Sequence, residues 1–312
     1  LAVGGDHIPF AKTGLLPGPF ARGGLDAGEM RDRTGAGMGD CKKALEETNG
    51  DMEAAIDYLR KKGAATAAKR ADKAANEGVV ATATSDNRSG AAIIEVNCET
   101  DFVARNEEFS SVVRRLAAHV LATRPADIEA LMASEMDGMT VTNWMNELLG
   151  KFNERIEIRR FQIISADGGF VADYVHNGDR LGVLIELSGS NGDERAVAVA
   201  RDFAMQVAAM NPGYVRREEV PSADLERERQ VLLEQTVNEG KKPEIAEKIV
   251  SGRIEKFYSE SCLLEQTFVK DSSKLVRDVL SDLNKELGSS VDVVRFTRYN
   301  LGETAPEAVS AD

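Results

Sequence analysis

Ala91-Ala92-Ile93-Ile94-Glu95-Val96 and Gly182-Val183-Leu184-Ile185-Glu186-Leu187 decide the fold, because they are one segment written twice, 91 residues apart. Each is a short apolar run bounded by turn-forming residues, the pattern of a strand. Upstream, Gly78-Val79-Val80-Ala81 matches Gly169-Phe170-Val171-Ala172 at the same offset, so each copy opens with a two-stranded hairpin. A helical period follows in both: Phe109, Val112, Val113, Leu116 and Val120 in the first copy, and Ala196, Val199, Phe203, Val207 and Met210 in the second. Each copy closes with another strand candidate, RIEIRRFQII at 155–164 and VDVVRF at 291–296. Two antiparallel sheets of about three strands, each with helices on one face, make an α+β design.

The copies are unequal. LAAHVLATRP aligns with FAMQVAAMNP at an offset of 87, so the first copy holds four extra residues between strand and helix, in the stretch Glu99 to Glu108. That stretch contains Thr100-Asp101-Phe102-Val103-Ala104-Arg105-Asn106, a carboxylate beside a large aromatic where a strand has ended and a helix has not begun. One reading is a capping turn, with Asp101 satisfying helix amides and Phe102 tucked inward. The other is a functional loop aimed by a rigid scaffold. A twin that does without the extra length speaks for the second.

Around this body the chain divides further. Residues 1–26, rich in Gly and Pro and without a sustained period, read as a disordered or non-native lead. From 27 to 64, short helices separated by glycine turns form a three-helix domain: Asp40 is predicted to cap the second helix and Asp51 the third. Met38, Cys41, Ala44 and Leu45 share one face, as do Ala55, Ile56 and Leu59. Residues 65–77, Ala- and Lys-rich, suit an exposed helical linker. The core subdomains then span 78–166 and 167–302, with a tail at 303–312 read as disordered. Inserted at 222–260 is a helical hairpin in which Leu225, Leu232 and Val237 answer Ile245, Ile249, Ile254 and Phe257 across the turn NEGKKPE, with Pro243 near the first helical position.

Composition excludes several functions. A net charge of -13 lacks the cationic footprint of a nucleic-acid-binding face. Cys41, Cys98 and Cys262 and the three histidines are scattered, so neither a zinc site nor a disulfide framework is legible, and buried reduced thiols are expected. With no apolar run of spanning length and no leader pattern, the expected setting is the cytoplasm or an organelle matrix, away from membranes. Gly35, Gly37 and Gly39 precede Lys42 and Lys43 but satisfy neither GxxxxGK[ST] nor GxGxxG, so no phosphate loop is read. A hydrolase pairing Asp101 with Glu99 or Glu95 would need a nucleophile or metal set that these residues lack. An adaptor built on the small helical domain is a third class.

Taken together, TGAGMGDCKKALEETNGDMEAAIDYLRKKG, EVNCETDFVARNEEF, FNERIEIRR, DYVHNGDRLGVLIEL and KKPEIAEKIVSGRIEKFYSESCLLEQTFV closely resemble the elongation factor Ts family, over about residues 29–302 and in the same order. The resemblance implies a guanine nucleotide exchange factor for elongation factor Tu, without bond chemistry, catalytic residues, metal or cofactor. It implies a ubiquitin-associated-like N-terminal domain, two related α+β subdomains, and a coiled-coil hairpin used in homodimerisation. By the same matching, Thr100, Asp101, Phe102, Val103, Arg105 and Asn106 form the loop that enters the partner near its magnesium and phosphate site. Arg31 and Met38 look like contacts from the small domain, and His176, Phe268 and Val269 like contacts from the second subdomain. Three departures stand out. Asp26-Ala27-Gly28 leaves the family's first helix half present, Gly39 replaces a second Met common in relatives, and the tail is too short for the C-terminal module some members carry.

Overall fold

The computed structural model describes residues 19–303 other than 35, 71, 177 and 191. In chain order the elements are α1 (Pro19–Thr34), α2 (Met38–Glu47), α3 (Met52–Arg70), β1 (Glu77–Thr84), β2 (Gly90–Cys98), α4 (Asp101–Ala104), α5 (Glu107–Thr123), α6 (Ile128–Ala133), β3 (Glu135–Met136), β4 (Met139–Thr140) and α7 (Val141–Phe152). There follow β5 (Ile156–Ser165), β6 (Gly169–Val175), β7 (Leu181–Ser188), α8 (Glu194–Met210), α9 (Ser222–Asn238), α10 (Pro243–Ser261), β8 (Thr267–Phe268), β9 (Asp271–Leu275), α11 (Val276–Leu287) and β10 (Asp292–Asn300). The chain forms two compact units. Among the described residues, one takes in 19–70 together with 143–153, and the other takes in 72–142 and 154–303.

In the first unit α1, α2 and α3 close around Ala27, Met30, Cys41, Ala44, Leu45, Ala55 and Ile56. Asp51 caps α3 as predicted, its carboxylate accepting the amide of Ala54 at 3.0 Å. Asp40 does not cap α2: Gly37 holds that position, and Asp40 sits in the first turn, paired instead with Lys62. The lead and linker readings also change. Residues 1–18 lie outside the described residues, but 19–26 are helical, because α1 runs from Pro19 through Gly28 to reach the buried Ala27 and Met30. Likewise α3 continues past Gly63 to Arg70, and the connection that follows it, from 72 to 76, is not helical. Gly63 marks a close approach rather than an end: a Cβ there would run into the carbonyl oxygen of Asn146 on α7. The strong helix formers after it, AATAAKR, carry α3 onward. Helix α7 thus packs with this unit, joined also by Arg60 to Glu147 at 3.1 Å, although its sequence lies inside the stretch predicted for the first core subdomain.

The second unit realises the repeat. One sheet has the order β1-β2-β5 and the other β10-β7-β6, all pairs antiparallel, so β2 and β7 are the central strands of equivalent sheets. Helix α5 covers the first sheet and α8 the second. The opposite faces of the sheets meet each other through Val80, Ala91, Ile93, Ile164, Val171, Leu184 and Tyr299. The approach is close enough that a Cβ on Gly182 would stand 2.7 Å from Val80 Cγ1. Burial on both faces explains why the central strands read as continuous apolar runs without alternation.

Each central strand carries one buried glutamate, and the two are treated alike. Glu95 faces its register partner Arg160 on β5, with Nε to Oε2 at 2.7 Å; Glu186 faces its register partner Arg295 on β10, also at 2.7 Å. In both sheets the ladder shifts by one residue beside this pair, leaving Arg159 and Val294 without a ladder partner. Such a bulge re-aims the following side chain. Each arginine then reaches across to the other copy: Arg160 donates to the carbonyl of Asn300 at the end of β10, and Arg295 to that of Ser165 at the end of β5. Arg160 also lies 4.1 Å from the ring centroid of Tyr299, and the amide of Gly302 donates to Glu95.

Helices α9 and α10 are joined by a short turn and pack along one another, with Pro243 in the first turn of α10. Among their described residues Thr236, Ala246 and Val250 are buried and Leu225, Leu232, Ile249, Ile254 and Phe257 of the predicted seam are half-buried, while Val237 and Ile245 are exposed, each beside a buried residue. At Thr236 the reason is polar: the Thr236 hydroxyl donates to the Leu232 carbonyl and accepts from Arg253, which also grips Glu239. At the hairpin base Arg217 binds both oxygens of Glu265, reaches Glu255 at 3.3 Å and stacks 4.6 Å from the ring centroid of Tyr258.

Replacing Arg160 with Leu leaves Glu95 buried beside no cation and should cost about 3 kcal/mol in urea unfolding. Arg295→Leu should cost less, because Arg295 is half exposed and water can take its place. The hydrogen bonds from Arg217 hold the Glu265 carboxyl below its usual range. Its stabilisation is therefore fully present above the unfolded-state value of about 4.3 and is lost as pH falls through the lower folded-state value. Hydrogen exchange in the last turn of α10 should accelerate only in that acid range, and Glu265→Gln should abolish the pH step.

Candidate functional site

The four extra residues of the first copy form one helical turn, α4, seated between two caps. The Thr100 side chain caps α4 by accepting the amide of Val103 at 3.4 Å, and Asn106 caps α5 by accepting those of Glu108 and Phe109 at 2.9 and 3.4 Å. Asp101 is not the cap; it pairs with Arg105 at 3.3 Å one turn later. Val103 is buried and pins the turn inward, and Phe102 is turned out, 84 % exposed. The capping reading therefore fails for both of its named residues. Arg105 is exposed.

The stem of this turn is held from across the sheet. Glu154, just before β5, accepts the amides of Glu99 and Thr100 through Oε2 at 3.1 and 3.0 Å and the Thr100 hydroxyl through Oε1 at 2.6 Å. In return the Glu99 carboxylate accepts the amide of Arg155 at 2.6 Å. Glu154 lies within the FNERIEIRR motif, yet nothing in its spacing ties it to a residue some fifty positions earlier. The carboxylates of Glu95, Glu99 and Asp101, considered above as an acid–base set, are each engaged with a different basic or amide partner.

His176 is exposed in the turn between β6 and β7, and its Nδ1 shares a 2.9 Å hydrogen bond with the Tyr174 hydroxyl. This turn is brought beside the start of α5 by Arg114, which contacts Glu107 at 2.7 Å and Asp179 at 3.4 Å. The Asp179 carbonyl in turn accepts the amide of Val80 on β1. Phe268 and Val269 sit elsewhere, on the β8–β9 hairpin against α8. Phe268 lies in the core, its ring edge-on to Phe203 at 6.3 Å, so its side chain is not presented to solvent; Val269 is exposed and its amide donates to Gln206. Met210, expected on the inner face of α8, is exposed. Arg31 and Met38 are both exposed and belong to the first unit.

The sequence model of the family described as Elongation factor TS matches residues 99–303. Proteins named Elongation factor Ts are similar along most of their length: that of Trichlorobacter lovleyi is 46 % identical over 88 % of this chain and 91 % of its own, and that of Prosthecochloris aestuarii 44 % over 89 % and 97 %. The Chloroherpeton thalassium protein of the same name is 45 % identical over 88 % and 96 %. This chain belongs to the elongation factor Ts family. The family match begins at Glu99, where the stem of α4 begins, and runs through the second copy to Glu303. Among the described residues no helix is long and apolar enough to cross a membrane.

All three cysteines are free and buried. Burial, followed by the nearby charge of Glu154, pushes the Cys98 thiol up to about 12, and burial with Glu265 pushes Cys262 up to about 11; burial also raises Cys41. Since the thiolate is the reactive form, the native protein should show no fast-reacting thiol at pH 8, and all three should react once the chain is denatured. A rapidly labelled cysteine in the native state would contradict this arrangement.

Proposed function

We propose that this elongation factor is a guanine nucleotide exchange factor that binds elongation factor Tu and promotes GDP release by inserting α4 near the magnesium and phosphate site. The observation that carries the reading is Phe102, 84 % exposed at the tip of a turn whose stem is fixed. Exposure of a phenylalanine to that degree forgoes about 2 to 3 kcal/mol of burial, roughly a hundredfold in an equilibrium, which a partner cleft can recover. An exchange factor makes and breaks no bond. It need only bind the nucleotide-free partner better than the nucleotide-bound one, and reciprocal linkage then lowers nucleotide affinity by the same factor. Phe102 supplies the apolar wedge and Asp101 the charge that disturbs the ion site, with Thr100, Val103, Arg105 and Asn106 shaping the turn.

The secondary contacts are Arg31, Met38, His176 and Val269, with Phe268 acting from the core to hold Val269 outward. The link through Arg114 supports a shared surface for α4 and the His176 turn. We assign α1–α3 as the ubiquitin-associated-like domain and 222–260 as a coiled-coil hairpin serving a homodimer, a role supported by the exposed Val231, Val237 and Ile245 along it. Dependence on a cofactor, nucleic acid or membrane forms no part of this reading, which places the chain in the cytoplasm.

Stopped-flow release of a fluorescent GDP analogue from elongation factor Tu tests it. The wild-type chain should accelerate release, Phe102→Ala should lose about tenfold or more of that acceleration while folding normally, and Asp101→Ala should lose part of it. An unchanged release rate with wild-type protein would reject the assignment.

A further inference from the structure

The two copies solve the same junction differently. By the repeat offset, Cys98 at the end of β2 corresponds to Gly189, and Asn106, which caps α5, corresponds to Asp193, which caps α8. In the second copy the chain entering the closing strand lies directly against the junction: a Cβ on Gly189, which has φ +89°, would strike the carbonyl oxygen of Ser290. The entry itself is held by Asn284, whose side chain accepts the amide of Val291 and donates to its carbonyl, and among the described residues no carboxylate takes the amides directly after β7. In the first copy the ladder runs one pair further, to Cys98 with Ile156, and beyond it carboxylates tie the longer junction to the entry of β5. Glu154 takes up three donors, two of them the consecutive backbone amides that follow β2, and Glu99 returns a bond to the Arg155 amide. Hydrogen bonds to an ionised acceptor are the stronger kind, and the set fixes Thr100, whose hydroxyl caps α4.

We propose that Glu154 is a positioning residue for exchange: by clasping Glu99 and Thr100 it fixes the stem of α4, so that Phe102 is presented in one direction rather than several. The proposal rests on the exchange-factor reading above. It differs from a purely structural role in acting through the tip of α4, Phe102 foremost, and not through overall stability. Glu154→Ala removes all three acceptor contacts. Glu154→Gln keeps one oxygen for the two amides and can donate to the Thr100 hydroxyl, so it should restore much of what alanine loses.

Two measurements test this on the full chain. In the free protein, amide hydrogen exchange at Glu99, Thr100 and Val103 should accelerate by about tenfold or more in Glu154→Ala, with thermal unfolding little changed. Thr100→Ala, which breaks the same set from the other side without touching β5, should accelerate Val103 similarly. With elongation factor Tu, the maximal rate of GDP-analogue release at saturating factor should fall about tenfold in Glu154→Ala and recover in Glu154→Gln. The same change in a Phe102→Ala background should cost far less than it does in the wild-type chain, leaving only the part carried by Asp101, because coupled residues are not additive. Unchanged amide exchange, or losses that multiply in the double variant, would overturn the proposal. If Phe102→Ala slows release and Glu154→Ala does not, only the positioning role fails. If Phe102→Ala leaves release unchanged, the exchange-loop reading fails and takes this role with it.

Discussion

Two glutamates buried on central strands govern what the second unit can be. A carboxylate in such a place is tolerable only with a cation and further donors around it, and Glu95 has Arg160 and the amide of Gly302. A slip of β2 by one residue would turn Glu95 toward α5 and away from its arginine, so the pair locks the register as well as the charge. The bulges at Arg159 and Val294 belong to the same device, since they aim each arginine toward the far copy. With Arg160 on Asn300 and Arg295 on Ser165, each sheet is fastened to the last residues of the other. These contacts oppose sliding of one sheet along the other, and the end of β2, three residues past Glu95, lies within the part they fasten.

What stands on that strand end is small. Helix α4 is a single turn with one buried residue, Val103, and too few internal hydrogen bonds to hold a shape alone. Its order is borrowed from Thr100, Asn106 and Glu154, all on or against rigid elements. A surface aromatic held this way gives up little conformational freedom on meeting a partner, which is where much of the cost of association otherwise falls. Exposure at the tip and constraint at the stem are complementary.

The repeat was legible because its strands are buried on both faces and so read as unbroken apolar runs, and because α5 and α8 keep a clear helical period. The unequal junction was legible by subtraction of the two offsets. Other features were hidden for identifiable reasons. The grip of Glu154 joins residues far apart in sequence, and no periodicity reports such a bond. Gly63 resembles a terminator because the two uses of glycine, ending a helix and admitting a neighbour, look alike without the neighbour, here Asn146. Thr236 hides the hairpin seam because a hydroxyl bonded to its own helix can be buried where apolar counting expects Val237. Phe268 resembles a surface contact in sequence, and its burial against the edge-on ring of Phe203 shows that it is core.

The added turn begins and ends on caps, and α5 and α8 keep equivalent caps at both ends, with Arg124 and Asn211 both left-handed at their C-termini. The longer junction has therefore been accommodated without disturbing the frame on either side. As a result the molecule carries its own internal standard. A loss of overall stability reaches the junctions after β2 and after β7 together, whereas an event confined to α4 separates them. The second copy is the blank against which the first can be read.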